Sequence, residues 1–283
     1  LAPEIDEDRF GSLAAKAMWS FTPHTSVTAV WIPEFRPHVF AVNEAPGLAI
    51  RENIPGGSNQ WAIKLDQSGK DIDWSVSYFE GYDLNADLRL ASATPALMQI
   101  ALDHNKVKVL GFDAATSRGA YRFALEAAYT RTEDTHGRDP YVKNPFFYGV
   151  FGVERTFGDN LTLINQLFWR KVEHYNDPAD QLDPVVRTVA VQQGIANVQY
   201  DRQTYGISTR IGKKWWNETL EGELAGVLLL SRTGYLLRPK LTYAYSDALK
   251  LIGGYEYYGG SDKTSYGRLA GNKALFLEAR YFF

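Results

Sequence analysis

Lys273-Ala-Leu-Phe-Leu-Glu-Ala-Arg-Tyr-Phe-Phe283 alternates residue by residue. Leu275, Leu277, Ala279, Tyr281 and Phe283 form one apolar row, and Glu278 and Arg280 fall on the other. Successive side chains of a strand point to opposite faces, so this stretch is read as a strand whose two faces meet different solvents.

The same pattern recurs through the chain from Gly11 onward, in segments of about ten residues, the length of a strand that crosses a bilayer. Leu13, Ala15, Ala17, Trp19 and Phe21 make the first row, and Val27, Ala29 and Trp31 the second after a turn at Thr22-Pro-His-Thr25. Pro33, Pro37, Pro46 and Pro55 mark the next connection as a surface loop, because proline cannot donate to a ladder. Further strands are expected around Trp61–Leu65, Ile72–Tyr78, Val107–Ala115, Tyr121–Tyr129, Phe146–Phe157, Leu161–Trp169, Tyr205–Ile211, Leu220–Leu230, Tyr235–Tyr245 and Leu249–Tyr257. With the last strand this makes about thirteen.

Two stretches carry helix signals inside long connections. Thr94-Pro95 followed by Ala-Leu-Met-Gln-Ile-Ala-Leu102 reads as a short capped helix or as an extension of the next strand. Asp183-Pro184 and the residues up to Gly194 read as a helix within the Lys171–Asp201 connection, expected to fold over or into a pore mouth. Gly158-Asp-Asn160 is a strong hairpin turn. Which face of Phe146–Phe157 is apolar stays undecided, since aromatic residues fall on both.

Composition narrows the class. There are 17 Tyr, 15 Phe and 7 Trp in 283 residues, more than a soluble core of this size needs and suited to two membrane–water interfaces. The longest apolar run, Leu224-Ala-Gly-Val-Leu-Leu-Leu230, is far shorter than the roughly 20 residues of a spanning helix. A net charge of -3 points to no nucleic-acid partner, and the absence of Cys excludes disulfides and thiolate metal sites. The opening Leu1-Ala-Pro-Glu-Ile-Asp-Glu-Asp-Arg9 has no charged-then-apolar leader, so an exported protein is expected to have lost one.

The terminal strand ending on Phe283 resembles the C-terminal strand of Gram-negative outer-membrane β-barrels, where the last aromatic residue and the apolar positions before it are read by the barrel-insertion machinery. Val109-Leu-Gly-Phe-Asp-Ala-Ala-Thr116 and Val142-Lys-Asn-Pro-Phe-Phe-Tyr148 with Glu154-Arg-Thr-Phe-Gly-Asp159 are similar to segments of porin-like proteins of mostly unassigned function. The resemblance implies an all-β, antiparallel up-and-down transmembrane barrel over residues 1–283 in the bacterial outer membrane. It implies a channel for passive diffusion of small polar or charged solutes. Short and long connections alternate as in such barrels except at the short Ser231-Arg-Thr-Gly234 turn, and their even strand number leads us to expect fourteen or more strands, at least one lying before those visible here.

On that reading Lys16, Lys64, Asp66, Asp73, Arg122, Glu126, Arg170, Arg210, Glu221, Glu223, Arg238, Lys240, Lys250, Glu256, Glu278 and Arg280 line a water-filled lumen. Some of them serve equally as cross-strand ion pairs that hold the wall together. Arg122, Arg170 and Arg210 against Glu126 leave a basic excess in the middle strands, from which mild anion preference is expected. Trp19, Trp61, Trp74, Phe123, Trp169, Tyr235, Tyr243, Tyr255, Tyr281 and Phe283 are expected to face lipid. The partners expected are the lipid bilayer, the insertion machinery and small solutes; no cofactor, metal or nucleic acid is expected, and the oligomeric state is left open.

Other classes stay in view: a soluble all-β protein, a barrel hydrolase with loop-borne catalytic residues, a structural barrel that sheathes a partner, and a channel for hydrophobic solutes. No Gly-x-Ser-x-Gly, His-Glu-x-x-His or phosphate-binding glycine loop is present. His24, His38, His136 and His174 lie in turns and loops, while Asp103 and His104, as chain neighbours, should point to opposite faces.

Overall fold

A single antiparallel ladder of thirteen strands organises the chain. The computed structural model describes residues 11–38, 45–57, 59–158 and 160–283. The segment Leu1–Arg9 and the turn residue Asp159 lie outside the described residues.

The ladder begins with β1 (Ala15–Thr22), β2 (Thr25–Ile32), β4 (Gln60–Gln67) and β5 (Asp73–Tyr82). It continues through β8 (Lys106–Arg118), β9 (Tyr121–Arg131), β10 (Phe146–Phe157), β11 (Leu161–Val172) and β12 (Gln203–Trp215). β13 (Leu220–Leu229), β14 (Gly234–Ala244), β15 (Leu249–Gly260) and β16 (Ala274–Tyr281) complete it. Every neighbouring pair is antiparallel, and among the described residues no ladder joins β1 to β16. The thirteen alternating stretches of the sequence are these thirteen strands. Pro239 lies inside β14; it has no N–H to donate, and the register with β15 lapses between Leu237 and Lys240.

The long connections hold more structure than their sequence announces. β3 (Leu48–Asn53) lies in the proline-rich stretch expected to be plain loop, and pairs parallel with β7 (Met98–Asp103). β7 in turn pairs antiparallel with β6 (Asp87–Ala93). The helix option for residues 94–102 is therefore overturned. Thr94 and Leu97 close a tight turn, with Thr94 N donating to Leu97 O and Leu97 N donating to Thr94 Oγ1, and the residues after it join a ladder. Burying Ile100 and Leu102 among Leu48, Ile50, Leu88 and Leu90 satisfies the sheet pattern, and that outweighs a local cap signal.

The second helix signal is borne out. α1 (Pro184–Ala196) starts at Asp183, whose Oδ1 accepts from Val185 N and Val186 N, with Pro184 in the first turn. It buries Val189, Ala190, Gln193 and Gly194, with Val189 joining the three-stranded cluster. A short helix, α2 (Ser265–Arg268), lies between β15 and β16. No helix among the described residues is long and apolar enough to cross a membrane, which says nothing of strands.

Candidate functional site

Register assigns each side chain to a face of the ladder, because residues opposite one another on neighbouring strands share a face. Glu223 stands opposite Lys240, Arg122 opposite Glu154, and Lys250 opposite Arg280. Followed strand by strand, the register puts all sixteen charged residues named above on one face.

The ten aromatic residues fall on the other face or on its continuation past β16. None is buried, and Trp19, Trp61, Trp169 and Tyr281 are well exposed. Between them the same face exposes Ile63, Val76, Leu110, Leu125, Leu167, Leu224, Leu237, Leu241 and Leu277. Asn165 and Thr209, polar residues in this apolar field, bond to each other at 2.9 Å.

Aromatic residues on this apolar face cluster towards the two ends of the strands. Towards the short turns are Phe21, Phe157, Trp215 and Tyr243, and towards the long connections are Trp31, Trp61, Tyr129, Trp169 and Tyr205. At the long-connection end the polar tips have partners. Trp31 Nε1 donates to Asn59 Oδ1, Trp169 Nε1 to Gln203 Oε1, Tyr78 Oη to Glu80, and Tyr129 Oη to Glu173.

The polar face carries a chain of ion pairs. Lys64 lies 2.8 Å from Asp66, Arg238 3.3 Å from Glu256, and Arg280 2.8 Å from Glu278, while Arg210 and Glu223 are in direct contact. Asp113 and Glu154, absent from the expected set, share this face: Asp113 is opposite Ser75 and Glu126, and Glu154 lies 3.7 Å from Arg122. In the middle strands Arg122, Arg170, Arg210 and Lys214 thus share the face with Asp113, Glu126 and Glu154, and the basic excess read from the sequence shrinks to one charge, with Lys214 itself 2.8 Å from Glu218. Asp113 was missed because Phe112 and Ala114 around it do not mark a clean row. Glu154 was missed because the face of Phe146–Phe157 had been undecided.

That face is now fixed. Phe147, Gly149, Phe151, Val153 and Arg155 stand opposite Tyr129, Ala127, Leu125, Phe123 and Tyr121, on the apolar side. Phe146, Tyr148 and Val150 consequently belong to the polar face, as do Phe168, Val227 and Leu229. Near the long connections the polar face becomes an aromatic recess of about 560 Å³, bounded by Tyr148, Phe168, Val227 and Arg170 and roofed by Tyr200 and Tyr266. Gly206 lets the Phe168 ring lie close against β12, since a Cβ there would clash with that ring and with the Leu228 carbonyl oxygen.

Beside Tyr200 and Tyr266 the roof continues as the three-stranded sheet with α1, fastened by buried polar groups. Lys143, 4% exposed, places Nζ 2.7 Å from Asp83 Oδ2, 2.7 Å from Asn85 O and 3.6 Å from Asp87 Oδ1. Asp87, 1% exposed, also accepts from Asn105 Nδ2, Gln193 Nε2 and Asn197 Nδ2, so β6 and α1 are locked together. Burial pushes the Asp87 carboxyl above its ordinary value, with the Lys143 ammonium and the amide donors pulling it back. Arg170 Nη1 donates to the carbonyls of Asn197 (3.1 Å) and Val198 (3.5 Å), which ties the roof to β11.

His104 is a structural residue of this roof. Its Nδ1 lies 2.8 Å from Asp83 O and its Nε2 3.1 Å from Glu52 Oε1. Asp103 turns away to Arg89 and Asn53, as strand geometry requires of neighbours. Among the described residues no group of three or more His, Cys, Asp or Glu side chains is placed to hold a metal ion. No protein-family model matches the chain, and no curated protein matches it.

Proposed function

We propose that this chain is the wall of an outer-membrane β-barrel that passes small polar or charged solutes along its polar face. The observation that carries the reading is the exposed apolar face. A soluble monomer rarely leaves more than a few hundred Å² of contiguous apolar surface in water, yet here one face of a thirteen-stranded sheet carries a broad apolar band, with charged residues such as Lys108, Arg155 and Lys213 towards the strand ends, and is uncovered among the described residues.

The spacing of the aromatic ends supports the same solvent. Tyr205 and Trp215 lie at opposite ends of β12, about 33 Å apart at roughly 3.3 Å per residue. For strands tilted by about 40° that corresponds to a band about 25 Å tall, the height of the apolar zone of such barrels. The indole and phenol tips that bond toward the rim suit an interface that is apolar on one side and wet on the other.

Purified protein in planar bilayers is expected to give discrete conductance steps. With one basic side chain in excess in the middle strands, and that one, Lys214, paired with Glu218, selectivity between potassium and chloride should be weak and should fade further as the Debye length falls from about 10 Å at 0.1 M to about 3 Å at 1 M salt. Folded, bilayer-inserted protein that conducts nothing would refute the channel. Deleting Asp183–Gly194 removes most of α1 and is expected to raise the step size; unchanged steps would show that the roof stands clear of the path.

A further inference from the structure

Arg170 is placed unlike the other arginines of the polar face. Arg122, Arg210, Arg238 and Arg280 each lie within 4 Å of a carboxylate. Arg170 has no carboxylate partner among the described residues. Its guanidinium lies 3.9 Å from the centre of the Phe146 ring, Nη1 serves two backbone carbonyls, and Nε is buried without any hydrogen-bond partner. Taking a guanidinium out of water without a carboxylate in contact is costly; the rings around it supply none, and Asp83, which lines the adjoining recess, is already held by Lys143.

The surroundings define what would complete it. Arg170 borders two adjoining recesses under the roof, the aromatic one of about 560 Å³ and a second of about 490 Å³ reaching Phe79, Val109 and Thr130. The first is lined largely by rings and aliphatic groups: Tyr148, Phe168, Val227 and Tyr266. A strongly hydrated inorganic anion would satisfy Arg170 but lose water against these walls. An uncharged apolar molecule would fill the walls and leave Arg170 unpaired.

We propose that this recess is a binding site for monocarboxylates with an aromatic or short alkyl body, the carboxylate paired with Arg170 and the body against Phe168, Val227 and Tyr266. Guanidinium and carboxylate match in shape and charge, and pockets of this size commonly pair apolar walls with a few fixed polar groups. The assignment rests on the channel reading for its biological sense, since it names a solute class that would pause beneath the roof. Its binding chemistry does not depend on conductance.

The test is equilibrium dialysis of 4-phenylbutyrate against the full chain in lipid nanodiscs, with empty nanodiscs as reference and 4-phenylbutanol as the uncharged counterpart. Saturable binding of the acid is expected, weakened about tenfold or more by Arg170→Gln and for the alcohol, because a charge-assisted pair is lost. Arg170→Gln also removes bonds to the roof, so Val227→Phe provides a second variant that fills the recess and leaves Arg170 in place; it should weaken binding as well. Arg170→Lys should retain part of the affinity. No saturable binding above empty nanodiscs, equal affinity for acid and alcohol, or wild-type affinity in both Arg170→Gln and Val227→Phe would each overturn the site. Binding in a protein that does not conduct would keep the site and refute the channel. Conductance without binding would do the reverse.

Discussion

Replacing Leu224 by Arg is expected to destabilise the folded protein in lipid by about 2–4 kcal/mol, the cost of a basic side chain near the midplane of a barrel's lipid face. Leu224 lies in the middle of β13, with Ile211 opposite on β12 and Pro239 opposite on β14. Both residues directly opposite it are apolar, and no acidic residue stands opposite to pair with a new charge. The contrasting variant is Thr242→Arg on the polar face, opposite Glu221. There a new ion pair should hold the change within about 1 kcal/mol. Urea unfolding of both variants in lipid vesicles gives the comparison. If the apolar face met water, both would behave as ordinary surface substitutions within about 0.5 kcal/mol of wild type.

The second large effect is expected at Lys143, whose ammonium serves Asp83, Asp87 and the carbonyl of Asn85 in a site closed to water. Lys143→Met leaves two acidic side chains without their cation, a change that typically costs about 3–5 kcal/mol. The loss should be local. Amide exchange should quicken in β3, β6, β7 and α1 while the thirteen-stranded ladder keeps its protection. It should also depend on pH. Asp87 has its folded pKa raised by burial, so its contribution to stability is fullest below the ordinary carboxyl value of about 4 and is lost as pH rises through the raised value. Removing Lys143 takes away a charge that favours the ionised form. The penalty should therefore be larger at pH 8 than at pH 5, and Asp87→Asn in the same chain should recover part of it. A penalty independent of pH would mean that Asp87 does not set the cost.

How far the residues announce this arrangement varies along the chain. The thirteen ladder strands are legible because each carries an apolar row on one of its two faces, which shows as period-two alternation, as in Tyr121–Tyr129 and Leu275–Phe283. β3, β6 and β7 are not legible in that way. They are six or seven residues long, and their burial depends on one another and on α1, so each alone shows only a short apolar run. α1 announces itself through Asp183 and Pro184, a local signal that needs no tertiary partner.

The polar face was half legible. Charged residues in alternation mark it on β14 and β16, but Phe146, Tyr148 and Phe168 look apolar and belong to it all the same. Their place follows from pairing with β9 and β12, a long-range fact that no pattern within β10 contains. For the same reason Arg170 reads from the sequence as one more charge in a wall. Its lack of a carboxylate partner becomes visible only when Tyr200, Tyr266 and the carbonyls of Asn197 and Val198 close over it.

The central claim is that the two faces of the ladder meet different solvents, and β14 offers the most direct measurement. Nitroxide labels placed one at a time from Tyr235 to Tyr243 in protein reconstituted into bilayers report collision with oxygen, which concentrates in lipid, and with a water-soluble nickel chelate. Labels at Leu237, Leu241 and Tyr243 are predicted to favour oxygen, and labels at Leu236, Arg238, Lys240 and Thr242 to favour nickel, in strict alternation. Nickel access at Leu237 and Leu241, or shielding of both from either reagent, would contradict the account.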